Sequence, residues 1–171
     1  MSLPRGIRNC NPLNIRRSKD KWKGMKALQS DAQFVQFESL EWGWRAAFWL
    51  LTRTYYYKYR LYTIRVIVTK WAPAIENNTK AYVENVSRLT GIDPDEPLGI
   101  PSEQPSRWIA LGIAMAIQEN GLSKREQSDA RIGSAERENR RAELNGTESL
   151  DYFAMLRGWE LCRQDAQSGK L

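Results

Sequence analysis

The sequence predicts a mainly α-helical domain carrying one small β element. Four segments hold apolar residues at helical spacing between capping and breaking residues. One short segment, residues 33–38, alternates apolar and polar residues in part, as a strand does. The front of the chain has neither period: Asn9-Cys10-Asn11-Pro12-Leu13-Asn14-Ile15-Arg16 makes a poor helix and a poor strand.

That opening segment predicts a tightly hydrogen-bonded loop. Asn competes with the backbone for hydrogen bonds and tolerates left-handed φ. Pro12 pushes Asn11 toward extended geometry. Residues 5–31 read as irregular throughout, and the strand follows on Phe34, Val35 and Phe37. Ser39 then opens a helix running to about Tyr57, with Trp42, Ala46, Trp49 and Leu50 at helical spacing. Thr63 opens a second helix, on Ile64, Val66, Ile67 and Trp71, which ends before Pro73. Asn78 or Thr79 caps a third, on Tyr82, Val83, Val86 and Leu89, closed by Gly91 as a left-handed cap. A Pro-rich loop, 93–105, leads to the most apolar helix, Ser106 to Asn120, ending at Gly121. Trp49, Ile67, Val86, Leu111 and Met115 are expected in the core.

The character changes after Gly121. Residues 122–171 hold nine Lys and Arg and nine Asp and Glu, so the whole net charge of +6 lies in residues 1–121. Residues 123–143 are mostly charged or small with a weak apolar stripe, which reads as a solvated helix or a flexible linker, and residues 149–163 hold Leu150, Phe153, Leu156, Trp159 and Leu161, amphipathic enough to dock. The division expected is a helical domain, 1–121, and a charged helical C-terminal extension, 122–171, that docks or oligomerises rather than sharing the core.

Composition excludes much chemistry. The chain has no histidine, which removes Ser-His and Cys-His nucleophilic catalysis and His-ligated zinc. Cys10 and Cys162 are too far apart in sequence for a disulfide framework or a metal motif. No metal or cofactor is expected, and an enzyme built from this chain must work with carboxylates, Tyr or Lys. No apolar run approaches a membrane span, and no signal peptide is read, so synthesis in the cytoplasm is expected. The basic first part favours a polyanionic partner, an anionic wall polymer or nucleic acid. Nucleic acid is the weaker of the two, because Lys and Arg are scattered and no reading motif is present.

One carboxylate stands out. Glu119 sits at the C-terminal end of the most apolar helix. The negative end of the helix dipole and apolar surroundings both disfavour its charged form. A raised carboxyl pKa is what a general acid needs. Glu38, at the strand end, and Glu76, in a Glu-Asn-Asn-Thr turn, are the candidates for a second carboxylate, since glycoside cleavage often uses two. Seven tryptophans suit sugar stacking as well as core packing.

Asn9 to Arg16, the Phe34–Ser39 strand running into Trp42-Gly43-Trp44, and Trp71-Ala72-Pro73 … Glu76-Asn77-Asn78-Thr79 occur in one order. That series resembles the phage and prophage "structural protein" family with a lysozyme-like fold, over residues 5–121. Glu119-Asn120-Gly121 looks like the Glu-Ser-Gly acid signature of lytic transglycosylases. Thr79 to Val86 resembles their Thr-x-x-Tyr-Val-x-x-Val helix, whose Tyr reaches toward the acid, a role the resemblance gives to Tyr82. In glucosaminidases the Asn-rich loop and the strand follow the acid helix; here they precede it, as a circular permutation of a lysozyme-like α+β domain would give. The resemblance implies a peptidoglycan-cleaving muramidase acting in a virion or at the cell wall, with Glu119 catalytic, Tyr82 supporting, and glycan strands and virion proteins as partners. Asn11, Asn14, Arg16, Trp71 and Asn78 are the expected substrate contacts. A fold of this kind that kept its shape and lost its chemistry, as a virion or glycan-binding module, is the competing reading.

Overall fold

A computed structural model describes residues 3–73, 78–122 and 150–168. It is mainly helical. A short α1, Arg5–Arg8, begins the fold. α2, Leu40–Trp49, continues without a break into a π-helical stretch, Leu50–Lys58. Then come α3, Ile64–Trp71, α4, Thr79–Thr90, α5, Pro105–Asn120, and α6, Tyr152–Gln167.

The caps follow the chemistry of the sequence. Thr63 accepts from the Val66 N–H and Asn78 from the Ala81 N–H, each satisfying an orphan donor of a first turn. Gly91 and Gly121 end α4 and α5 in the left-handed conformation, φ 73° and 60°. Ser39 has the extended backbone of an N-cap but makes no capping bond through its side chain.

α5 is the central element. Leu111, Ala114, Met115 and Ala116 are fully buried in it, and Trp44, Phe48, Ile67 and Val86 pack in the same core. A second, smaller cluster of Ile15, Trp22, Val35, Phe37 and Ala46 lies beneath the N-terminal loops. Trp49 differs from expectation: it is only partly buried, because it sits on the seam and packs against both clusters.

The expected β element at 33–38 forms no sheet among the described residues. Two isolated antiparallel bridges pair Arg16 with Phe34 and Met25 with Phe37. The segment is extended and bonded on both sides: Val35 N–H donates to Ile15 O (3.0 Å) and Lys26 N–H to Gln36 O (2.9 Å). Each neighbouring segment pairs with it at one bridge, and neither ladder propagates.

α6 also departs from expectation. It lies along α2 inside the common core, with Tyr152, Ala154, Met155 and Cys162 buried. A Cβ on Gly158 would stand 2.5 Å from Trp44 Cβ and 2.8 Å from Glu41 O, so glycine lets the two helices close. Asp165 adds ion pairs to the fully buried Arg45 (2.8 Å) and to Lys23 (2.9 Å). The amphipathic stretch read as a docking arm is thus a core face. Residues 123–149 lie outside the described residues.

Candidate active site

The N-terminal loop is built to press against the end of α5. Asn11 is fully buried: its Nδ2 donates to Ile15 O (3.0 Å) and Val35 O (2.9 Å), and its Oδ1 accepts from Ile15 N–H (2.8 Å). One amide therefore closes the 11–15 turn and ties it to the extended segment. Asn14 is held at φ 53°, the left-handed region Asn tolerates. From the helix side, Asn120 Nδ2 donates to Pro12 O at 2.8 Å. Gly6 is the contact point. A Cβ there would lie 2.5 Å from Asn120 Oδ1 and 2.8 Å from Asn14 Oδ1. Both amide oxygens are buried with no conventional donor, and they face the Gly6 Cα, where weak C–H···O contact is what remains to them.

This clamp brings three predicted residues together. Glu119 Oε1 accepts from Asn14 Nδ2 at 3.1 Å, and Oε2 accepts from the Tyr82 hydroxyl at 3.0 Å. Tyr82 projects from α4 and is 3% exposed. Burial pushes the Glu119 carboxyl pKa up; the bonds from Asn14 and Tyr82 and the charge of Arg16 pull it down, and burial prevails. Burial, and then the neighbouring Glu119 charge, hold the Tyr82 phenol well above its ordinary value, so it stays a donor.

Glu119 opens onto a cleft of about 360 Å³. Arg16 and Trp71 stand on its walls with Trp22, Phe34 and Tyr55. The Arg16 guanidinium lies over the Phe34 ring at 5.4 Å, and Trp71 meets Tyr55 edge-on at 5.9 Å. The Tyr55 phenol is pushed up to about 12 by burial. The cleft thus brings together aromatic side chains, the cation Arg16 and one carboxyl with a raised pKa. A larger groove of about 500 Å³, between the π-helical stretch and α6, is lined by no carboxylate among the described residues.

The other predicted residues fall elsewhere. Asn11 is engaged in holding the loop, with no face toward the cleft. Asn78 is occupied as the α4 cap. Glu38 is exposed and does not line the cleft, because its backbone is anchored to Gly24 instead. Glu76 lies outside the described residues. Asp20, which sequence reasoning passed over, is the second acid among the described residues that line the cleft. Its signal was its place in the Arg16–Lys26 run, where it is the one acid. Among the described residues no group of side chains could hold a metal ion, and no helix is long and apolar enough to cross a membrane.

The structure thus defines a mainly helical domain whose central helix ends on a partly buried, hydrogen-bonded carboxyl. The chain belongs to the family of Protein P5 of Pseudoalteromonas phage PM2, with which it is 38% identical over 120 residues, spanning 68% of this chain and 71% of that protein. No family model matches the chain. The relationship associates the protein with phage; the relative's name states no activity.

Proposed function

We propose that this protein is a peptidoglycan-cleaving muramidase of a phage or prophage, working as a lytic transglycosylase on a permuted lysozyme-like domain. The observation that supports this most is the setting of Glu119: a carboxyl raised by burial, braced at both oxygens, in an aromatic-walled cleft.

The steps follow from that setting. Protonated Glu119 donates its proton to the glycosidic oxygen as the bond from C1 to that oxygen breaks. The carboxylate left behind then takes a proton from the hydroxyl on C6 of the same sugar. The hydroxyl oxygen bonds to C1, closing a 1,6-anhydro ring, and Glu119 is protonated again. No water is consumed, so one carboxyl serves both steps. Tyr82 and Asn14 orient it and stabilise its anionic stage. Trp71 and Phe34, both partly exposed, offer faces on which sugar rings stack. Action in the virion or at the wall is part of the same proposal.

Release of soluble fragments from purified cell walls tests the reading. The native protein should clear them, and Glu119→Gln should be slower by about 10²–10⁴-fold, the range typical of a lost general acid. No clearing of several wall types by the native protein would favour a binding or structural role.

A further inference from the structure

A second pocket, about 240 Å³, adjoins the Glu119 cleft. The two share Ser18 and Asp20 on their common rim. Arg17, Lys21 and Gln29 line the small pocket, and Met25, Ala27 and Val35 give it apolar surface. The rim comes from a loop with six cations and one acid between residues 16 and 26. Lys19 and Lys21 are exposed and make no ion pair among the described residues.

The pocket is held in shape before anything binds. Arg17 is fixed twice, by its N–H to Gln33 O (2.8 Å) and by Nη1 to Asp31 O (3.1 Å). Gln29 is pinned by Nε2 to Lys26 O (2.9 Å) and Gln36 O (2.8 Å), and by Gln36 N–H to its Oε1 (2.8 Å). Two cations on a fixed frame, with Asp20 alone against them, suit an anionic group of modest size. A chain of neutral sugars lying in the cleft would leave both cations unused.

We propose that this pocket is a subsite for a carboxylate-bearing branch of the glycan whose backbone lies in the Glu119 cleft. This rests on the glycan reading above. The subsite makes the protein selective for strands that carry free acidic substituents. Arg17 and Lys21 supply the attraction, and the pocket lies beside the cleft without contributing to the chemistry.

The test is a binding measurement, independent of turnover, on the full-length Glu119→Gln protein. Calorimetry compares three ligands of equal backbone length: a glycan with acidic branches, the same glycan with those carboxylates amidated, and an unbranched neutral oligosaccharide. The acidic form should bind at least about tenfold more tightly at low salt, as loss of a charge-assisted contact would give. Salt should weaken that ligand and barely touch the other two. Arg17→Gln with Lys21→Gln should bring the acidic ligand down to the amidated one. Lys21→Gln alone, which removes no recorded backbone contact, should take away part of the preference. Equal binding of acidic and amidated forms, or a preference that survives in the double variant, overturns the subsite and leaves the glycan reading intact. Binding of none of the three overturns both. Tight binding of an oligonucleotide, lost in the same double variant while the acidic glycan is ignored, assigns the cations to nucleic acid and also overturns the subsite.

Discussion

Asn14 and Glu119, 105 positions apart in the chain, meet in a hydrogen bond of 3.1 Å from Nδ2 to Oε1. The contact joins the most irregular part of the sequence to the end of its most regular helix. Gly6 permits the approach: a Cβ there would lie 2.5 Å from Asn120 Oδ1 and 2.8 Å from Asn14 Oδ1. Loop conformation and the protonation of the acid are thereby coupled.

Gly6→Ala should break that coupling. The added methyl overpacks the seam, at a cost of about 1–3 kcal/mol, and displaces Asn14. With one stabilising bond to its anion gone, Glu119 should titrate at higher pH still. Carboxyl-carbon NMR of Glu119 reads the shift and thermal melting reads the cost. Asn14→Ala should raise the titration point with a smaller loss of stability, and the double variant should add little further shift.

Glu119 should also make stability depend on pH. Its folded-state pKa is raised, so between the unfolded value and the folded one the native chain keeps a proton that the unfolded chain has lost. Its contribution to stability therefore falls as pH rises through that window, and levels off above it. Glu119→Gln cannot ionise. Denaturant melts should show the two proteins closest at acidic pH, with the variant gaining relative to native as pH rises. A gap that shrinks instead would contradict a raised pKa.

The C-terminal helix should be indispensable to the fold. Deleting residues 150–171 uncovers the α2 face at Trp44 and Phe48 and strands the buried Arg45. The truncated chain should lose cooperative melting. Asp165→Ala, which leaves that guanidinium without its carboxylate, should cost about 3–5 kcal/mol. Gly158→Ala should cost about 1–3 kcal/mol by forcing α6 off α2, measured by denaturant unfolding.

Asp31 should support acid stability. Its carboxylate accepts from Arg5 Nη2 (2.6 Å), Asn9 Nδ2 (2.9 Å), and the Gln33 (2.9 Å) and Phe34 (3.0 Å) N–H groups, and the Arg5 bond chiefly holds its pKa well below the usual range. The resulting stability is present above the unfolded pKa and is lost as pH falls below it. Asp31→Asn should therefore be less stable near neutrality and converge on the native protein in acid.

Much of this was legible in the chain. Thr63, Asn78, Gly91 and Gly121 bound their helices as capping chemistry dictates, and the apolar run of 108–117 placed α5 at the centre. Glu119 stood out by its place at the end of an apolar helix. Tyr82 was legible as a residue of a patterned helix, and its reach toward the acid came from the resemblance; the two side chains meet at 3.0 Å. The rest depended on three-dimensional neighbours. Whether 33–38 extends into a sheet depends on its partners around Arg16 and Met25, each of which pairs with it at one isolated bridge. The amphipathic stretch of α6 read as a docking face rather than a core face because Gly158 is a contact through its lack of a side chain. Asn11 reads like a ligand-binding amide in sequence, yet all its bonds turn inward. Asp20 reaches the cleft only through the path of its loop.

Mass spectrometry of fragments released from peptidoglycan in ¹⁸O-labelled water tests the central claim most directly. If Glu119 acts alone as acid and then base, the fragments carry 1,6-anhydromuramyl ends with no ¹⁸O, and Glu119→Gln releases about 10²–10⁴-fold less. Reducing ends carrying ¹⁸O would contradict the single-carboxyl account and make Asp20, the second acid among the described residues that line the cleft, the group to test as the missing base.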